Sequence, residues 1–130
     1  MKSKKYNNDI TATVIGKGIR LESALLSGQG IIRIDGEYCG DISVDGELML
    51  EQSGNINGNI DVKIAYISGT VTGNVKCSDL LHIMSTGKIT GDIECEAMLV
   101  DEGAVFIGYS KMNDRKPEPV HTLNTLGLDE

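Results

Sequence analysis

Residues 53–62, "SGNINGNIDV", set Gly54 and Gly58 four apart around Ile56 and follow them at once with Asn59, Ile60, Asp61 and Val62. The device recurs as GEYCG at 36–40, GTVTG at 69–73 and GKITG at 87–91, and in a looser fifth copy, GAVFIG at 103–108, longer by one residue. Intervals between the second glycines are 18, 15, 18 and 17. A self-similar period near this length, carried by alternating apolar positions, marks a solenoid whose unit is one coil of strands. The glycines are therefore corners of a repeat rather than the loop of a ligand site.

Two residues past each second glycine stand Ile42, Ile60, Val75 and Ile93, and four past stand Val44, Val62, Cys77 and Cys95. Period-two alternation turns both sets to one face of a strand, pointing inward. A second side is given by Leu48 and Leu50, Ile67, Leu81 and Ile83, Met98 and Val100, and a third by Tyr38, Ile56, Val71 and Ile89. Three apolar sides per period describe a triangular β-helix with glycine or short polar residues at its corners. Ile67 lies two residues before its glycine, whereas Leu50 and Ile83 lie four before theirs. The short coil is thus expected to lose residues at a corner, because a slip inside a strand would turn a whole ladder outward.

Upstream, Ser23 stands where a corner glycine is expected, with Leu25, Ile32 and Ile34 inward, and a first coil is read through Val14, Ile19 and Leu21. The reading gives an all-β fold of about six coils over residues 12–112, roughly 29 Å long at ~4.8 Å per strand. Residues 1–11 and 113–130 are expected to be disordered tails; both prolines fall in the second, which shows no period. Leu123, Leu126 and Leu128 in that tail could form a short docking motif, though a floppy end is the simpler reading.

Bulk properties exclude several classes. The chain has 130 residues, one domain's worth, and its 4% aromatic content leaves the core to aliphatic side chains. A net charge of −7 argues against a nucleic-acid footprint. Three cysteines without CxxC spacing, no signal peptide and no long apolar run point to a reduced, cytoplasmic protein. Its start, "MKSKKYNND", offers at most weak contact with an anionic membrane through Lys2, Lys4 and Lys5.

Chemistry is sparse. His82 lies between inward Leu81 and Ile83 and is expected to face solvent, and His121 is in the tail. Cys77 and Cys95 take valine positions and read as small buried hydrophobes, which leaves Cys39 the most exposed thiol. The pairs Gly16/Gly18 and Gly28/Gly30 lack a P-loop or dinucleotide context, so neither nucleotide nor other cofactor is expected. Asp41, Asn59, Asn74 and Asp92 share one corner position and read as turn chemistry rather than a calcium repeat, and no catalytic or metal-ligating set emerges. Spacings of 15 and 17 break the multiples of six of hexapeptide acyltransferases. Mixed residues beside Thr70 and Thr72 break the flat rank of an ice-binding face.

The runs "TVIGKG", "SGQGIIRIDGEYCGDI", "GNINGNIDV", "GTVTGNV" and "EGAVFIGYSKM" resemble the bactofilins, bacterial polymer-forming cytoskeletal proteins, over about 100 of the 130 residues. The resemblance implies a right-handed β-helix between disordered ends, assembling without nucleotide into filaments that lack polarity and scaffolding cell-shape, cell-wall or motility machinery. It implies a homopolymer joined end to end, with cell-envelope or motility partners recruited through the tails. Phe106 matches a family phenylalanine at the terminal polymer contact, and with Val105 and Ile107 forms the expected C-terminal plug. Ile15, Ile19 and Leu21 are the expected N-terminal plug. Membrane-attached members carry a short hydrophobic N-terminal motif that this chain lacks, which argues against direct membrane binding. Two other readings stand beside the scaffold: a monomeric adaptor displaying partners on flat sides, and a degenerate acyltransferase-like trimer.

Overall fold

The computed structural model describes residues 12–112 and 118–122. Its elements are β1 (Ala12–Ile15), β2 (Arg20–Ile34), β3 (Glu37–Leu50), β4 (Asn55–Asn57), β5 (Ile60–Ile67), β6 (Thr70–Thr72), β7 (Val75–Ile83), β8 (Lys88–Thr90), β9 (Ile93–Val100), β10 (Val105–Met112) and β11 (Glu118–Thr122). All pair parallel, rung upon rung, except β11, which runs antiparallel to β10. Six rungs follow the short β1: β2, β3, β4 with β5, β6 with β7, β8 with β9, and β10. The all-strand solenoid expected from the repeat is the fold.

Strand register fixes the ladders. On the first side Leu21, Tyr38, Ile56, Val71, Ile89 and Phe106 stack in succession. The second carries Ile42, Ile60, Val75 and Ile93 beside Val44, Val62, Cys77 and Cys95. The third carries Leu48, Ala65, Leu81 and Met98 beside Leu50, Ile67, Ile83 and Val100. Nearly all are fully buried, because a narrow solenoid has a single core into which every inward residue must point.

Corner length varies while the ladders do not. Between third and first sides, Leu50 and Gly54 are separated by three residues, Ile67 and Gly69 by Ser68 alone, and Ile83 and Gly87 again by three. In the longer corners Ser53 Oγ donates to Asp35 O at 2.7 Å and Thr86 Oγ1 to Ser68 O at 2.6 Å, tying each to the shorter corner one rung before. The short coil thus loses its residues at a corner, with every inward position kept.

At the next corner Gly40, Gly58, Gly73, Gly91 and Gly108 form a column, with φ between +137° and +153°. A Cβ on Gly58 would lie 1.8 Å from the carbonyl oxygen of Gly40, and one on Gly73 2.0 Å from that of Gly58. Beside this column runs a ladder of amides and carboxylates. Asn59 N–H donates to Asp41 Oδ1, Asn74 N–H to Asn59 Oδ1 and Asp92 N–H to Asn74 Oδ1, each at 3.0 Å, and Tyr109 N–H to Asp92 Oδ1 at 3.3 Å. Each side chain satisfies a corner N–H that the strand ladders leave over. Asn59→Ala removes one acceptor from a solvated ladder and is expected to cost about 1 kcal/mol, read from urea denaturation.

Four details differ from the sequence expectation. One extra residue at Ser23–Ala24, opposite Gly40, shifts the parity of β2, so Leu26 rather than Leu25 pairs with Ile42 and Leu25 faces outward beside Asp41. Val14 pairs with Arg33 on the outer face and is 55% exposed, leaving Ile15 as the buried residue of β1. The fifth repeat is not longer: Ala104 takes the register of Gly87, Phe106 that of Ile89, and Gly108 sits over Gly91. Finally, Glu118–Thr122, placed in a disordered tail, forms β11 on the outer edge of β10, since an open terminal edge offers unpaired backbone to any nearby segment. Residues 1–11, 113–117 and 123–130, including Lys2, Lys4, Lys5 and the leucines from Leu123 onward, lie outside the described residues.

Candidate functional site: the two ends of the solenoid

A solenoid has two places where regular stacking stops. At the N-terminal end β1 covers only Ile31–Ile34 of β2, so the outer edge of β2 from Arg20 to Gly30 has no strand against it among the described residues. Ile19 (57% exposed), Leu21 (39%) and Leu25 (56%) stand along this edge, while Ile15 is buried. Arg20 lies among them, paired with Glu22 at 2.6 Å and Glu37 at 3.8 Å.

At the C-terminal end β10 closes the first two sides and β11 covers its outer edge, but the third side stops at β9, whose Ala97–Val100 segment has no following rung among the described residues. Phe106 is wholly buried, Val105 half-buried and Ile107 exposed. Phe106 is thus the last core side chain of the first ladder, and Ile107, one residue on, faces out as period-two alternation requires.

The exposed large hydrophobics among the described residues are Val14, Ile19, Leu21, Leu25, Leu99, Ile107 and Tyr109. They belong to β1, β2 and the residue just before it at one end, and to β9 and β10 at the other; none comes from Leu26 through Met98. Exposed apolar surface is thus gathered toward the two ends, and contiguous exposed apolar surface of this kind marks places where a protein meets a partner.

The sides carry less. A groove of about 560 Å³ runs along the second side beside the amide ladder, from Leu25 to Tyr109, with Lys76 and Glu94 on its wall. His82 lies on the outer face of the third side, as its neighbours imply, yet it is largely covered. It packs against the Tyr66 ring with centroids 6.0 Å apart and its Nε2 meets Asp101 Oδ1 at 2.9 Å. No group of three metal-ligating side chains occurs among the described residues. No helix there is long and apolar enough to cross a membrane.

Cys77 and Cys95 are register neighbours, free and buried, and Cys39 is half-buried. Burial, which disfavours a thiolate, pushes Cys77 up to about 12 and Cys95 up to about 11, from an ordinary 9.0. The unfolded chain then loses these protons before the folded one does. The stability they contribute is whole below about pH 9 and falls as pH rises toward these values, at about 1.4 kcal/mol per pH unit for each thiol. Cys77→Val, which copies Val44 and Val62 of the same ladder, is expected to flatten the loss of urea midpoint between pH 8 and pH 10.5; an unchanged slope would show the thiol to be no part of it.

Which residues stay exposed at the two ends was not legible in the sequence. Whether Leu25 faces in or out depends on the single-residue bulge before it, and β11 carries none of the repeat.

Comparison with known proteins agrees with this geometry. A family profile described as "Bactofilin: Polymer-forming cytoskeletal" matches residues 13–111. The chain is 30% identical over 116 residues to bactofilin BacP of Myxococcus xanthus (strain DK1622), covering 89% of this chain and 48% of BacP. It is 34% identical over 101 residues to bactofilin BacO of the same organism, covering 78% of this chain and 79% of BacO. This chain therefore spans about half the length of the first relative and most of the second. No solved structure gave a significant match.

Proposed function

Since the chain belongs to the bactofilin family of polymer-forming cytoskeletal proteins, we propose that it is a non-enzymatic, cytoplasmic scaffold that assembles end to end, without nucleotide, into non-polar filaments. In this role it supports cell-shape, cell-wall or motility machinery, with partners recruited by the segments flanking the solenoid. The observation that carries the reading is that the exposed large hydrophobics of the described residues lie only before Leu26 and after Met98, toward the two ends of the solenoid. A side of five or six residues is only about 17 to 20 Å long, so one end contact falls in the small-interface range, below about 1,200 Å². Its affinity must rest on apolar plugging and strand-edge pairing.

Filaments without polarity require each end to meet its own kind across a two-fold axis, so that the same patch serves both partners. The edge of β2 suits this, because Ile19, Leu21 and Leu25 lie along one open strand edge. Phe106, Val105 and Ile107 remain assigned to the C-terminal joint, with Ile107 supplying its exposed apolar contact and Phe106 the floor beneath it. Ile15 has the matching role of floor at the N-terminal joint, below Ile19 and Leu21.

Negative-stain electron microscopy of the purified full chain without nucleotide tests the proposal, with filaments expected whose axial repeat is a multiple of the rod length. Dispersed single particles at every concentration would instead favour the monomeric adaptor, for which the groove along the second side is the binding face the geometry offers.

A further inference from the structure

We propose that β11 is an internal cap: Glu118–Thr122 occupies in cis the outer edge of β10 that a second copy of this chain needs at the C-terminal joint, so joining at that end requires β11 to peel away. The inference rests on the end-to-end reading above. A strand has two edges, and the inner edge of β10 is spent on β8 and β9. The outer edge is paired with β11 through Val105–Thr122, Gly108–Val120, Tyr109–Pro119 and Ser110–Glu118. One set of backbone groups cannot serve β11 and a neighbouring rod together.

The cap has the marks of a removable strand. It is the one antiparallel strand among the described residues, with an irregular register between Val105 and Gly108. It follows Met112 in the sequence after five residues, a separation within the range of hairpin connections. Pro119 sits within it and has no N–H to give to either neighbour, a device typical of strands that end a sheet. Among the described residues, the third side of the same end, Ala97–Val100, has no strand over it. A second copy would therefore find one open side on which to seat before displacing β11 from the other two. Among the described residues the edge of β2 from Arg20 to Gly30 carries no such strand, so the two joints differ there: one is open, the other opens on demand.

The test uses the full chain with Cys39→Ser, Val105→Cys and Thr122→Cys. Directly opposed residues in an antiparallel pair have Cα atoms about 4.5 to 5.5 Å apart, inside the range a disulfide spans. Oxidised protein is expected to run as a monomer on non-reducing gels and to stop at paired rods joined by their N-terminal ends, while reduction of the same sample restores filaments. In a second variant, Val120→Pro with His121→Pro extends Pro119 into a run of three prolines that cannot hold the ladder. Its critical concentration is expected to fall roughly fivefold, the factor corresponding to about 1 kcal/mol. Filaments of undiminished length from fully cross-linked monomer would overturn the cap, as would cross-linked dimers, which would place the strand in trans, or an unchanged critical concentration in the proline variant. Absence of filaments from every form, including the proline variant, would overturn the end-to-end reading and the cap with it.

Discussion

Gly73→Ala is expected to lower the unfolding free energy by about 4 kcal/mol, a large fraction of the about 5 to 15 kcal/mol typical of a native domain. The new Cβ would meet the Gly58 carbonyl oxygen at 2.0 Å and its carbon at 2.7 Å, and both are backbone atoms that cannot rotate away. Added to this is a φ of +142°, where a side chain costs about 1 to 3 kcal/mol. Relief of the clash by spreading the rungs costs a further ~1 to 3 kcal/mol. Because each rung contacts only its neighbours, a wedge in the middle divides the cooperative unit, so the urea transition should broaden as well as shift. Gly28→Ala is the control: nothing lies within 4 Å of its Cβ and its φ is not left-handed. It is expected to stay within about 0.5 kcal/mol of the parent. Equal stability of the two variants would show that the column is a tolerance of the sequence rather than a requirement of the fold.

The second large effect concerns assembly. Ile19→Glu with Leu21→Glu replaces two exposed apolar side chains on the open edge of β2 with carboxylates, beside Glu22 and Glu37. Across a two-fold joint each new charge faces its own copy. Losing two buried anchors at about 2 kcal/mol each corresponds to roughly a thousandfold weaker N-terminal joint. The expected product is a dispersed solution, or pairs joined at the other end, with an unchanged circular dichroism spectrum and only a small fall in urea midpoint, since Ile19 is exposed and Leu21, which stacks on Tyr38 at the end of its ladder, is only partly covered. Filaments at the parental concentration would remove this edge from the joint. Phe106→Arg is a less discriminating test: Phe106 is fully buried, so an arginine there puts an unpaired charge in the core and weakens the fold before it reaches any contact.

How far the sequence spoke depended on whether a feature repeats. The ladders through Ile60 and Val62 were legible because period-two alternation between glycine corners admits one inward set, and the missing residues at Ser68 could only leave from a corner. Leu25 was misplaced because a one-residue bulge at Ser23–Ala24 reverses parity locally, and one coil alone gives no second copy against which to detect it. Ala104 was hidden by the neighbouring Gly103, which offered a glycine for alignment while the strand register passed it by. The amide ladder was visible as a column of Asp41, Asn59, Asn74 and Asp92, yet its bonds run between rungs, and which oxygen accepts from which N–H depends on stacking that the order of residues does not contain. Strand β11 lies outside the repeat and is held by backbone pairing, for which any short segment without strong preferences will serve.

The parallel stacking of rungs has a consequence for how assemblies of this protein present themselves. Every strand of the solenoid lies across the rod axis, and neighbours repeat along it at ~4.7 to 4.9 Å, the spacing of a cross-β fibre. An aligned specimen of joined rods would carry a meridional X-ray arc at that spacing, and dyes that report on stacked strands would respond to it. Amyloid writes the same signature with many identical segments from separate molecules. Here a single chain writes it with successive, non-identical segments, so dissolution in mild denaturant and recovery of monodisperse rods, rather than diffraction or dye uptake, would tell a working filament from a misfolded one.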